Sequence, residues 1–192
     1  MPKITKIFLD TEFTGLHKNT TLISLGLVSE CGKTFYAEFT DYDQYQISGW
    51  IKNNVLANLT LSIPDGMPFH AEYHPNITNP SESKFQIKAS RDVVKKFLEE
   101  WLSQFDSVQI WSDCLAYDWV LFNDIFGTAF DLPKNVSYIP MDICTLFQIK
   151  GIDPDISRED FIGNSVKGIK HNALYDAKVI KACYEKLMRI EE

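Results

Sequence analysis

Apolar and polar positions recur with two different periods along the chain, and the changes of period divide it into elements. KIFLD (6–10) is a short apolar run, TLISLGLVS (21–29) alternates around small residues, and KTFYAEF (33–39) sets Phe35, Ala37 and Phe39 against polar neighbours. Three strands are predicted there, broken by Gly15 with HKNT (17–20) and by a tight turn at Glu30-Cys31-Gly32. From Ser90, a good helix cap with Asp92 one residue into the first turn, the period becomes helical through Val94, Phe97, Leu98, Trp101, Leu102 and Phe105. VQIWS (108–112) reads as a buried strand. A helix from about Tyr117 to Phe126 stops at Gly127, and SYIPMDI (137–143) reads as a short strand leading into a brief helix through Leu146. The last helix runs from about Asn172 to Arg189, with Ala173, Ala177, Ile180, Tyr184 and Leu187 on one stripe.

Three hairpin-linked strands followed by alternating strands and helices predict an α/β fold with a mixed sheet of five to six strands flanked by helices. Residues 41–89 fit this rhythm poorly. GWIKNNVLANL (49–59) is helical in pattern, but LSIPDGMPFHAEYHPNITNPSESK (61–84) is rich in Pro, Asn and Ser. The stretch of about 60–89 is therefore expected to be a functional lid or a disordered loop. No repeat or linker interrupts the chain, so residues 1–192 are expected to form one domain.

Composition narrows the classes. With 45% hydrophobic residues, 192 residues suffice for one sizeable core. No apolar run is long enough for a membrane span, and Asp10 and Glu12 interrupt the only early apolar stretch, which predicts a cytoplasmic protein without membrane attachment. Cys31, Cys114, Cys144 and Cys183 are far apart and form no CxxC pair, so reduced, mostly buried thiols are expected rather than a zinc site or disulfides. A net charge of −7 argues against coating a duplex and for salt-sensitive contact with a strand end. One basic cluster stands out at Lys167, Lys170, Lys178 and Lys181, although Lys178 and Lys181 read equally well as a solvated helix face.

The candidate chemistry lies in three segments. Asp10 and Glu12 belong to IFLDTEFTGL, Asp118 to DCLAYDWVLF, and His171 and Asp176 to HNALYDA. Residues two apart on a strand share a face, so Asp10 and Glu12 aim together from the end of the first strand. In a chain with 26 acidic residues such a pair is weak evidence alone, and Asp118 alone reads as a helix-start aspartate. His171 and Asp176 are five apart and would diverge on an ideal helix. With Asn172 as the cap, His171 falls in the preceding loop and Asp176 in the first turn. Four carboxylates and an imidazole at the ends of apolar elements point to a hydrolase of phosphodiesters that uses hard divalent ions. His70 and His74 lack such surroundings and read as surface residues.

Together the segments resemble the DEDDh family of 3′–5′ exonucleases. HNALYD fits its HxAxxD pattern in full, DTEFTGL closely matches its first motif, and Cys114 stands where the second motif often carries asparagine. AYDWVLF, YIPMDI and GWIKNNVLANL are similar to a smaller branch of bacterial exoribonucleases first known from mycobacteria. The resemblance implies an RNase H-like fold, two Mg2+ ions (with Mn2+ able to substitute) and release of nucleoside 5′-monophosphates from a single-stranded 3′ end. It implies that Asp10, Glu12 and Asp176 hold one ion, that Asp10 shares the second, and that Asp118 supports the pair. His171 would be the general base, and Thr14 and Leu16 would touch the terminal nucleotide, Leu16 as an apolar wedge. RNA is the favoured substrate, a DNA exonuclease is the alternative, and an inactive strand-end or protein-binding module is the rival from another class. The sequence leaves monomer and homodimer open.

Overall fold

In the computed structural model, which describes residues 3–79 and 82–190, β1 (Ile4–Phe13), β2 (Leu22–Ser29) and β3 (Thr34–Phe39) form an antiparallel meander. β6 (Ser107–Ser112) pairs parallel to β1, and β7 (Met141–Asp142) parallel to β6. On the far side, β5 (Lys84–Ala89) pairs parallel to β3, and β4 (His70–His74) antiparallel to β5. The resulting sheet has seven strands in the order β4-β5-β3-β2-β1-β6-β7.

The α/β class with a mixed sheet is as expected, but the sheet is larger. The extra strands come from the stretch expected to be a lid or loop, whose Pro and Asn residues fall before β4 and between β4 and β5 rather than inside them. Pro80 and Ser81 of that stretch lie outside the described residues. In KFQIKA, Ile87 and Ala89 alternate into the core while Lys84, Gln86 and Lys88 turn the other way. The GWIKNNVLANL segment forms α1 (Gly49–Asn54) and a 3-10 turn at Leu56–Asn58.

Alternation along β1 sorts its residues between two layers. Ile7 and Leu9 join the core under α2 (Arg91–Ser103) and α3 (Ala116–Phe126). Phe8 faces the other layer with α4 (Ile143–Ile149), α5 (Arg158–Phe161) and α6 (Ala173–Leu187), through Phe147, Phe161, Ile180 and Leu187. Asp10 and Glu12 follow Phe8 at steps of two, so they project toward α6. α5 is the helix that periodicity did not predict. Among the described residues no helix is long and apolar enough to cross a membrane.

α6 starts where Asn172 leaves the helical conformation and its Oδ1 accepts from the Tyr175 amide at 3.2 Å. Its first residue lies on β2 at Gly26, the register partner of Asp10. A β-carbon on Gly26 would lie 2.2 Å from the Ala173 carbonyl oxygen, so only glycine admits this approach. Gly26→Ala is expected to lower stability by about 1–3 kcal/mol through overpacking. Urea unfolding measures it, with Gly49→Ala as control because nothing lies within 4 Å of a β-carbon there. Equal midpoints for the two variants would refute a close-packed seat.

Candidate active site

Three of the predicted carboxylates converge where β1 ends under the first turn of α6. One oxygen from each of Asp10, Glu12 and Asp176 lies within 4.8 Å of the others. Asp10 Oδ2 is shut off from solvent and has no hydrogen-bond partner among the described residues. Burial, then Asp118, Asp176 and Glu12, push the Asp10 carboxyl well above the usual range. Burial and the charges of Asp176 and Asp118 push Glu12 up to about 8. Asp176 rises to about 7, chiefly by burial, with the backbone amides of His171 and Asn172 working against the shift. Such a cluster is unfavourable as three anions and favourable around a cation, and the shielded oxygen of Asp10 is a donor atom without a partner. The residues present therefore fit a hard divalent ion held by Asp10, Glu12 and Asp176.

Asp118 stands beside this trio rather than in it. It is 7% exposed on α3, and its Oδ1 accepts from the Thr11 amide at 2.9 Å and the Thr11 hydroxyl at 2.5 Å. Ser112 approaches Oδ2 at 3.4 Å. Burial raises the Asp118 carboxyl to about 6, against the pull of those hydrogen bonds. Thr11 thus ties α3 to β1 between Asp10 and Glu12.

His171 lies in the loop before α6 with a left-handed φ of +63°, and its Nδ1 is 3.8 Å from Glu12 Oε1. Burial and the neighbouring Lys170 charge lower its pKa, which favours the neutral ring. The loop is pinned from behind. Asn58 Nδ2 donates to the Lys170 carbonyl at 2.9 Å, and Asn172 Nδ2 donates to the Asn58 carbonyl at 3.1 Å. The cleft in front is about 420 Å³ and is lined by Asp10, Glu12, Asp113, Lys170, His171 and Asp176.

Thr14 and Leu16 fall differently. Thr14 is buried, and its hydroxyl bonds to Gln46 and accepts from the Thr21 amide at 2.9 Å. Leu16 is 78% exposed. Both line a second cavity of about 570 Å³ with Glu12, Gln46 and Trp50, next to the carboxylates. Trp50 stands edge-on to the His171 ring, with centroids 5.0 Å apart. Neither Trp50 nor Gln46 was singled out from sequence. A half-exposed tryptophan opening a short helix was the available signal, but the pattern does not reveal what it faces.

The cysteines depart from expectation. Only Cys183 is buried; Cys31 and Cys114 are exposed, and Cys114 and Cys144, 30 positions apart, meet with sulfurs 3.4 Å apart. The left-handed φ of +50° at Cys114 and the Arg158–Asp113 ion pair (2.7 Å), whose guanidinium also reaches Cys144 Sγ at 3.2 Å, accompany this contact.

Comparison with known proteins places this chain in a family. The profile of the 3′-5′ exoribonuclease Rv2179c-like domain matches residues 5–188. The chain belongs to that family. Two curated relatives, both named 3′-5′ exoribonuclease and both from Mycobacterium tuberculosis (strains CDC 1551 and H37Rv), are 28% identical over 148 residues, 76% of each chain. The solved structure of S. pombe Pop2p in its Mg2+- and Mn2+-bound form matches with a TM-score of 0.54 at 15% identity, over 95% of this chain and 82% of that one. That likeness supports the RNase H-like α/β fold.

The raised carboxyl values fix a sign. Each folded value lies above its unfolded one, so the stabilising contribution is complete below about pH 4 and is lost as pH rises through about 6, 7 and 8 for Asp118, Asp176 and Glu12. The metal-free protein is therefore expected to lose thermal stability between about pH 4 and 8, and Mg2+ to raise Tm more at pH 8 than at pH 5. Melting curves in chelator and in Mg2+ test this. A Tm in chelator that climbs across the window, with no Mg2+ effect, would contradict it.

Proposed function

We propose that this chain is a divalent-metal-dependent 3′–5′ exoribonuclease that removes nucleoside 5′-monophosphates one at a time from a single-stranded 3′ end. The observation that carries the reading is the trio Asp10, Glu12 and Asp176, with its unpartnered buried oxygen and His171 alongside Glu12. Family membership and the names of the mycobacterial relatives favour RNA. The Mg2+ and Mn2+ bound to Pop2p favour one of those two ions here.

Asp10, Glu12 and Asp176 hold the metal, and Asp118 steadies Asp10 from the side through its grip on Thr11. Bound divalent ions supply positive charge that polarises the scissile phosphate and lowers the proton affinity of the attacking water. His171, kept neutral by its surroundings, accepts the water proton as the phosphorus–oxygen bond to the upstream nucleotide breaks. The departing 3′ oxygen takes a proton from solvent, and the hydroxyl so left on that nucleotide is the next 3′ end. Leu16 and Trp50 offer apolar walls for the terminal base, and the Thr14–Gln46 contact braces the loop beneath it. A 3′ hydroxyl suits this position better than a 3′ phosphate, whose charge would face Glu12.

The deciding assay compares a linear RNA, its circular form and the DNA of the same sequence, with and without Mg2+. Expected are mononucleotides from the linear RNA only, no turnover in excess chelator, and none with Asp10→Asn. Cleavage of the circle would make the protein an endonuclease, and faster loss of the DNA would reverse the substrate preference.

His171→Ala is expected to slow turnover by roughly 10²–10⁴-fold, the usual contribution of a positioned general base. The Mg2+-dependent rise in Tm should survive, because His171 is outside the carboxylate trio. A near-normal rate would assign the proton transfer to another group.

A further inference from the structure

Register carries one row of residues from the catalytic carboxylates to the edge of the sheet. Asp10, Gly26, Tyr36, Gln86 and Glu72 are successive partners across five strands, so they share one face. The start of α6 covers the row at Gly26, and Asn172 Nδ2 approaches the Tyr36 hydroxyl at 3.3 Å. Beyond Tyr36 the face is polar, with Lys84, Gln86 and Lys88 on β5 and His70, Glu72 and His74 on β4. The opposite face of β5 buries Ile87 and Ala89.

A cavity of about 310 Å³ opens at this transition, lined by Tyr36, Thr60, Gln86, Lys167, Tyr175 and Lys178. It lies across the 167–172 loop from the catalytic cleft. Lys170 and His171 line the cleft, while Lys167 and Asn172 line the cavity. A buried carboxylate stiffens its wall, since Glu38 accepts from the Thr60 amide at 2.6 Å, the Leu61 amide at 2.9 Å and Lys88 Nζ at 2.9 Å.

Charge selects what this surface suits. The other lysines near the site are paired, Lys170 with Glu159 at 3.2 Å and Lys181 with Glu185 at 3.8 Å. Lys167, Lys178 and Lys84 make no ion pair among the described residues, although the chain carries a net charge of −7. The cleft itself also carries Asp113, Asp155 and Glu159, which offer a polyanion little attraction, and Arg158 is held by Asp113.

We propose that the nucleotides upstream of the cleaved 3′ end cross the 167–172 loop and lie along this polar face, their phosphodiesters held by Lys167, Lys178 and Lys84. The path rests on the nuclease reading above. At roughly 4.8 Å per strand, Gln86 lies roughly 14 Å from Asp10, so only strands longer than a dinucleotide reach it. A dinucleotide with a 5′ hydroxyl has a single phosphodiester, the one being cut, and nothing to offer the lysines.

Steady-state kinetics of the full chain in Mg2+, on an RNA octamer and on a dinucleotide with the same 3′ residue, separate the two levels. For the exposed pair Lys84→Glu and Lys167→Glu combined, kcat/KM on the octamer relative to the dinucleotide is expected to fall about tenfold or more, as for lost charge-assisted contacts. The slope of log kcat/KM for the octamer against log salt should flatten by about 0.7 for each phosphate contact removed. Lys178→Gln, which keeps the bulk of a half-buried side chain, should lower the same ratio. An unchanged ratio overturns the path, whether both substrates suffer equally or neither does. If the unaltered protein turns over neither RNA, the nuclease reading fails and the path falls with it.

Discussion

The seating of α6 on Gly26 is the contact on which the rest of the site depends. Asp10 and Gly26 are partners across β1 and β2, so a helix that touches the sheet at one necessarily delivers its first turn to the other. Asp176 lies in that turn, and the loop carrying His171 must close just before it. One missing side chain on β2 thereby sets the distance between carboxylates from opposite ends of the chain. Ala173 and Ala177, both fully buried, continue the same economy of volume along the helix.

Electrostatics opposes what packing enforces. Burial raises four carboxyls and neighbouring carboxylates add to it, while hydrogen bonds from Thr11 and Ser112 to Asp118, and from the His171 and Asn172 amides to Asp176, work against the shift. Asp10 and Glu12 gain no such relief, and the trio of Asp10, Glu12 and Asp176 is left to a proton or a cation. This division separates a residue that holds two elements together from residues that face the cleft, although all four are acidic and all four approach the end of β1.

What could be read from the sequence was what depends on neighbours in the chain. The two-residue step from Asp10 to Glu12, the Asn172 cap that puts His171 outside the helix, and the stripe from Asp176 to Leu187 are local consequences of strand and helix geometry. What escaped was decided by remote partners. β5 pairs with β3 in parallel across a long excursion, and β4 needs β5 before its HAEYH pattern has a sheet to join. The alternation in KFQIKA was present, but the Pro- and Asn-rich neighbourhood outweighed it. Cys114 and Cys144 meet only because α3 and α4 begin side by side at the ends of β6 and β7. The position of Trp50 over His171 likewise follows from the docking of α1, which its own six residues do not encode.

Glu38 shows how an irregular stretch can be attached without being rigid throughout. Its carboxylate is fully buried, yet the Thr60 and Leu61 amides, Lys88 and the Tyr36 hydroxyl at 3.1 Å all donate to it. The stretch is thus fastened at its root by this carboxylate and at its exit by the β5–β3 ladder. Of what lies between, β4 is itself paired to β5, which leaves the link 62–68 as a span whose length the end of β1 does not sense, since loop closure grows only slowly more unfavourable with added residues. Residues 62–68 therefore form a natural graft point, where foreign sequence could be inserted or native sequence shortened without altering the register of Asp10.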